Sequence, residues 1–391
     1  MADVVVAGGG PAGAACALVL ARSGFDVTVL ERARFPRRKV CGEYLNIGAV
    51  AALDELGVGE RVRELAQPLL GVRLIPPGLD PVELRFPAPA LALARETLDE
   101  ILLNAAAAAG ARVERARVED LSYANGRFTG VVARDEAGTM ATYPARFVVG
   151  ADGSGSLVAR KLGLVRPSRG ARRFALGGHY RGFGDLGGYI EMYVGAGAYF
   201  ALNPLDGERV NVMVVVRDVQ LAEWSQAVDE GMRGKAAELG RGRRSFAAAE
   251  RIGSRVSFGP LAFDVHGVVR PGAYLAGDAG GFLNPFTGQG VYLALRGGAD
   301  AGEAIARTFA QPAREAAYAA GYETRRMRDF AVRRRLSHVV DLLVDVPLLA
   351  RRAAARLQRF PELGETLLGA LGGAVSPERG LSPALLGRLL V

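Results

Sequence analysis

The sequence predicts an α/β fold: a parallel sheet with flanking helices, interrupted by a β-rich insertion and followed by a helical tail. Three observations predict it. Apolar, charge-free runs at residues 4–7, 147–150 and 274–277 each lead into a glycine turn, the pattern of strands buried on both faces. Residues 172–263 alternate apolar with polar side chains, the period of a half-buried sheet. From Ala331 onward the pattern is helical, interrupted by Pro347, Pro361, Pro377 and Pro383.

Taken in order, residues 3–7 are a strand, Gly8-Gly9-Gly10-Pro11-Ala12-Gly13 a turn, and residues 14–22 a helix stopped by Ser23-Gly24. Residues 27–30 are a second strand, followed at once by Glu31. The intervening helix excludes a hairpin, so the strands are parallel. A helix is expected at 95–109, ended by Gly110, then a three-stranded meander at 112–121, 128–135 and 140–143. Asp206-Gly207 between two strand patterns marks a hairpin. A glycine-rich loop after residue 278 opens a helix from Gly290 to about residue 309. The expected units are 1–70, 95–165 and 265–330 for the parallel-sheet domain, 71–94 and 166–264 for the β-rich domain, and 331–391 for the tail.

Composition narrows the function. Half of the 391 residues are apolar and 23% are charged, which excludes a disordered, collagen-like or disulfide-rich chain. Cys16 and Cys41 make no disulfide framework, and His179, His266 and His338 have no metal-ligand spacing, so a reducing, cytoplasmic setting is expected. The net charge of +8 comes with only three lysines, Lys39, Lys161 and Lys235. That arginine bias reads as genome composition, and no nucleic-acid partner is expected. Residues 4–21 are charge-free, but Asp3 precedes them and glycines and a proline cluster at 8–13, against a signal or membrane segment.

Gly8-x-Gly10-x-x-Gly13 between a strand and a helix carries the first chemistry. The first glycine permits the tight turn, the second lets a pyrophosphate approach the backbone, and the third lets helix and strand pack closely. The helix amino terminus offers free N–H groups to phosphate. Glu31 lies at the strand end where a carboxylate accepts ribose hydroxyls; it repels a 2′-phosphate, so the ligand is FAD or NAD rather than NADP.

Three further segments resemble one superfamily. Gly150-Ala151-Asp152-Gly153-Ser154-Gly155-Ser156 resembles the DG motif of the group A flavoprotein monooxygenases. Ala276-Gly277-Asp278-Ala279, with Asn284-Pro285-Phe286-Thr287-Gly288-Gln289-Gly290, resembles their GD motif and flavin loop. Arg95 with Asp99 resembles their Arg-x-x-x-Asp pattern. Phe35-Pro36-Arg37-Arg38-Lys39-Val40-Cys41-Gly42-Glu43 is most similar to the geranylgeranyl reductase branch, and Tyr199-Phe200-Ala201-Leu202-Asn203-Pro204 loosely resembles that branch's substrate motif. Trp224 is the only tryptophan, so the Trp-x-Trp signature of tryptophan halogenases is absent. The arginine usual three residues after the DG serine falls on Ala159, with Arg160 beside it.

The resemblance implies a split Rossmann-type FAD-binding domain with an inserted β-sheet substrate domain and a helical C-terminal tail. It implies FAD contacts from Gly8, Gly10, Pro11, Ala12, Gly13, Glu31, Arg32, Arg37, Lys39, Arg95, Val118 and Asp152. It adds Asp278 on the ribityl chain, and Pro285, Gly288, Gln289 and Gly290 at the pyrimidine edge of the flavin. Cys41 is the expected active-site residue, a thiol whose pKa Arg37, Arg38 and Lys39 could lower. Cys16 is expected in the core, and His179 and His266 as packed or surface residues. NAD(P)H is expected as a transient co-substrate and electron donor. The expected activity is an FAD-dependent oxidoreductase on a small apolar substrate, aromatic, polyketide-like or isoprenoid. The motifs lean to a monooxygenase using a flavin C4a-hydroperoxide; a C=C reductase and a non-catalytic flavin electron carrier are the alternatives. The tail holds nine arginines against five acids and is amphipathic in places, so peripheral membrane contact through it is a further expectation.

Overall fold

The structure is a computed structural model that describes residues 1–76, 79–167, 173–195, 198–219, 221 and 248–390. Trp224 lies outside the described residues. Ala2–Ala7 is the centre of the first sheet, parallel to Val27–Glu31 on one side and to Met140–Gly150 on the other. Arg112–Ala124 lies beyond Val27–Glu31, and Ala273–Leu275 beyond Met140–Gly150, both parallel; Val269–Arg270 adds an antiparallel edge. Val4, Val5 and Val6 are fully buried, as a strand covered on both faces requires.

Several boundaries differ from the sequence reading; Tyr44–Leu45 and the start of Gln67–Ile75, expected in the first domain, belong to the second sheet. The first helix is Pro11–Arg22, three residues earlier than expected, because proline has the φ of a first helical turn and no N–H that needs a partner there. Residues 140–143 and 147–150 belong to one strand, Met140–Gly150. Its outer half pairs with Arg127–Asp135 in the meander and its inner half with Ala2–Ala7. Pro144 does not break it, because it pairs with Gly130 on one side only, before the parallel partner begins at Ala145. The helical region begins with the long helix Glu315–Asp345, which passes straight through the expected boundary at 331. The prolines start helices: Pro347–Arg359, Pro361–Gly372, Pro377–Gly380 and Pro383–Leu390 each open on one.

The second sheet has eight strands. Its order is Glu250–Phe258, Arg173–Arg181, Arg209–Arg217, Ala198–Asp206, Tyr189–Gly195, Gln67–Ile75, Val82–Ala92 and Tyr44–Leu45. The expected hairpin at Asp206-Gly207 joins two of these strands. Val165–Arg166 and Asp264–Val265 pair with each other as a short antiparallel ribbon. The tail helices pack on this sheet, with Leu357, Leu363 and Leu389 against Val82 and Leu84.

The geometry that makes a site is at the carboxyl edge of the first sheet. Ala7, Glu31, Gly150 and Leu275 all end there, beside the start of Pro11–Arg22. That helix is clamped by Gly290–Ala310. A Cβ on Gly298 would lie 2.1 Å from the Ala12 carbonyl oxygen, and one on Gly302 3.1 Å from that of Cys16. Cys16 is fully buried, and burial pushes its thiol up to about 12, as expected of a core residue. Gly298→Val must part the two helices, and urea unfolding should show a loss of about 1–3 kcal/mol or more.

Candidate functional site

A cavity of about 730 Å³ opens at this edge, crosses the face of the second sheet and ends among the tail helices. Gly8, Gly10, Pro11 and Ala12 line its near end. Gly8 has φ +104, and a Cβ there would lie 2.5 Å from the Ala151 carbonyl oxygen. Gly10 precedes the first helical residue with no side chain capping the helix, so its N–H groups face an open space. Gly13 does not reach the cavity. A Cβ on it would lie 1.9 Å from the Gly8 carbonyl oxygen, so its role is to let the helix sit against the turn.

Glu31 lines the cavity with its carboxylate already held: Oε2 accepts from the Gly9 N–H at 2.8 Å and Oε1 from the Ala33 N–H at 2.8 Å. Lone pairs remain for hydroxyls, since a carboxylate has about four acceptor positions. Arg32 and Val118 line the same end. Asp152 is partly a structural group. It accepts from the Ser156 hydroxyl and from the Leu157 N–H at 2.7 Å, which fixes the start of the helix Leu157–Lys161, and it also borders the cavity. Ala159 is buried, and the exposed Arg160 beside it lines the cavity.

Above the turn lies a chain of charged groups. Arg95 donates to both oxygens of the fully buried Asp99, at 2.7 and 2.8 Å, and Arg37 reaches the same carboxylate at 3.2 Å. Burial works against the Arg95 charge, but Asp99 outweighs it and its pKa is raised. The Lys39 ammonium is lowered, first by burial and then by Arg95. Asp278 faces this cluster. Burial raises its pKa despite Lys39 and Arg95, and its carboxylate has no hydrogen-bond partner among the described residues.

Pro285, Gly288 and Gly290 line the cavity from the loop that opens Gly290–Ala310. Gly288 has φ +64, and a Cβ there would lie 2.5 Å from the Tyr44 ring. Asn46 donates to the Gly288 carbonyl at 3.1 Å. Gln289 points away from the cavity. It is buried and accepts from Arg333 at 2.9 Å, tying the loop to the long helix. Cys41 lines the middle of the cavity. Its thiol is raised by burial, and the chief opposing cation is Arg95 rather than Arg37, Arg38 or Lys39.

The sequence reading gave no site role to four residues that hold this centre together. Glu43 is buried with φ +56, a backbone region that a non-glycine residue occupies only when its surroundings enforce it. Its Oε1 accepts from the Arg95 N–H at 2.9 Å, and its Oε2 lies 2.7 Å from both His179 Nε2 and Asn211 Nδ2. Asn211 also donates to the Cys41 carbonyl at 3.0 Å, and Asn203 to the Gly42 carbonyl at 2.8 Å. His179 is buried as expected, while His266 is exposed. The available signal was Asn203 and Asn211, two amides placed symmetrically about Asp206-Gly207 inside apolar strands, where they pair directly.

These residues fit FAD. A glycine cradle leaves room at a free helix amino terminus, and the half-buried Asp278 carboxylate, with no hydrogen-bond partner among the described residues, is placed to accept hydroxyls. Gly10→Val should give colourless protein. Asp278→Asn should weaken flavin binding about tenfold to a hundredfold, read by titrating flavin fluorescence. The FAD-free folded protein holds the Asp278 proton to higher pH than the unfolded chain. That contribution to stability is present at acid pH and lost as pH rises through the raised pKa. Thermal unfolding of the FAD-free Asp278→Asn protein should therefore fall less between acid and neutral pH than that of the parent.

Comparison with known proteins places this geometry. The chain is 29% identical over 398 residues to menaquinone reductase of Mycolicibacterium smegmatis, covering 96% of this chain and 93% of that one. It is 29% identical over 344 residues to digeranylgeranylglycerophospholipid reductase 2 of Methanopyrus kandleri, covering 84% and 83%. Its fold is similar to that of a solved flavin-dependent brominase, with a TM-score of 0.84 at 22% identity over 95% of this chain and 93% of that one. The FAD binding domain family matches residues 1–334, and the chain belongs to that family as an FAD-dependent oxidoreductase.

Proposed function

We propose that this protein reduces carbon–carbon double bonds in a long isoprenoid chain. The observation that carries the proposal is the apolar length of the cavity beyond Cys41. Leu74, Val194, Met213 and Val215 of the second sheet form one wall, and Leu343, Ala353, Leu357 and Leu371 of the tail helices the other. Such a slot suits a flexible hydrocarbon better than a compact aromatic ring. Relatives named menaquinone reductase and digeranylgeranylglycerophospholipid reductase support the same reading, the second by the geranylgeranyl chains in its name.

In this reading the first sheet and its helices are a split Rossmann-type FAD domain and the eight-stranded sheet an inserted substrate domain. The ribbon of Val165–Arg166 with Asp264–Val265 supports this, because it brings the two ends of the longer insertion side by side. Bound FAD supplies two-electron transfer. Gly8, Gly10 and the helix start would hold its pyrophosphate, Glu31 its ribose, and Asp278 its ribityl hydroxyls, while the start of Gly290–Ala310 favours negative charge at the flavin by about 0.3–1 kcal/mol. NAD(P)H is the proposed transient donor.

The chain's own task is the proton. Reducing a double bond adds a hydride to one carbon and a proton to the other. The raised pKa keeps the proton on Cys41 Sγ at the inner end of the apolar slot, where it can be given to the substrate carbon. Asn203 and Asn211 fix the backbone on either side, and the Glu43 N–H donates to Sγ at 3.3 Å. The monooxygenase expectation rests on motifs shared by both chemistries; a protonated thiol beside the substrate slot favours reduction.

Anaerobic turnover of an unsaturated isoprenoid should fall at least about a hundredfold in Cys41→Ser, while flavin reduction by NAD(P)H stays normal. An unchanged rate, or hydroxylated product under air, would overturn the reductase reading. Ala353→Trp should fill the tail end of the slot, raising KM for long isoprenoids about tenfold or more and sparing short ones; chain-length series would read this out.

A further inference from the structure

The tail helices that wall the cavity carry a different chemistry on their outer faces. On Glu315–Asp345, Arg328, Arg335, His338 and Leu342 follow at steps of seven, three and four, which places them on one stripe. All four are exposed, Leu342 by 54%. On Pro347–Arg359, Leu348, Arg352 and Arg359 form a second exposed stripe with Arg351 beside it, and Leu348 is 59% exposed. This helix has four arginines and no acid. Arg328, Arg335, Arg351 and Arg352 make no ion pair among the described residues. The inner face of the same helix presents Ala350, Ala353, Ala354 and Leu357 to the cavity. One helix thickness thus separates the apolar slot from a surface of exposed leucines and unpaired arginines.

We propose that this surface docks on an anionic phospholipid bilayer, and that the isoprenoid chain passes from the lipid into the slot that these helices wall. The charge argument selects the bilayer's sign: an acid-free helix with unpaired arginines is attracted to anionic headgroups and gains nothing from neutral ones. The leucines select a bilayer over a merely acidic partner, since a helix lying in the interface buries its apolar side chains below the headgroups. The slot supplies the reason. A long hydrocarbon is held by the membrane, and a slot whose wall rests on the lipid takes it up without exposing it to water. This uptake step rests on the isoprenoid reading above; the docking surface stands on the helices alone.

The test is flotation of the FAD-loaded full chain with vesicles of phosphatidylcholine alone and of phosphatidylcholine with phosphatidylglycerol. The parent should float only with the anionic vesicles and be released by salt. Arg351→Glu with Arg352→Glu should cut partitioning about tenfold or more. Leu342→Ser with Leu348→Ser should cut it about tenfold. Both variants should keep their flavin absorbance, their unfolding temperature and their turnover of detergent-dissolved substrate. Failure of the parent to float, equal flotation with neutral vesicles, or full binding by the leucine variant would overturn the docking, the last pointing to an acidic macromolecule instead. Turnover in detergent without vesicle binding overturns the docking and leaves the reductase standing. Vesicle binding with no reduction of any unsaturated chain overturns the reductase and the uptake step, and leaves the bilayer contact.

Discussion

The buried carboxylate of Glu43 is the interaction on which the site depends. It joins the first N–H of the helix Arg95–Ala108 to His179 and Asn211 on two neighbouring strands of the second sheet. A carboxylate taken out of water is costly unless its oxygens are satisfied, and here three groups from three elements satisfy it. The cost makes the arrangement specific. If either sheet shifts, a buried charge loses its partners. The segment that holds Cys41 is fixed between the sheets as a consequence, with its carbonyls taken by Asn203 and Asn211.

From this centre the cavity divides by chemistry. Toward the carboxyl edge of the first sheet its wall is charged, with Arg37, Lys39 and Arg95 facing Asp99 and Asp278. In the proposed reading a pyrophosphate and a polyol would meet these charges, and the cluster would gain partners from them. Toward the tail the wall is almost wholly apolar. Cys41 sits where the two regimes meet, its thiol raised by burial and opposed by the charge of Arg95.

The tail is part of this design. Its helices close the far side of the second sheet, packing Leu357, Leu363 and Leu389 on Val82 and Leu84, and without them the apolar face would be open to water. The long helix Glu315–Asp345 links the tail to the flavin loop through Arg333 and Gln289, and through Asp341 and Asn284. The cofactor end and the slot end of the cavity are therefore braced by one rigid element.

Local chemistry determined the elements that were readable from the sequence alone. A glycine turn between a buried strand and a helix has few other uses, so Gly8 to Gly13, Glu31 and Asp278 were readable, as were the hairpin at Asp206-Gly207 and the helix from Gly290. Some residues near those motifs serve the fold instead. Gly13 packs the helix against the turn, the role its place in the glycine motif implied, and Gln289 turns to the long helix, because a motif records spacing and not the direction in which a side chain points. The tertiary structure alone decided the rest. Glu43, His179, Asn203 and Asn211 come from segments up to 168 residues apart. The pKa of Cys41 followed burial rather than its basic neighbours in sequence. The length of the slot appeared only when the tail folded over the second sheet, since a cavity is a property of the space between elements and no single element encodes it.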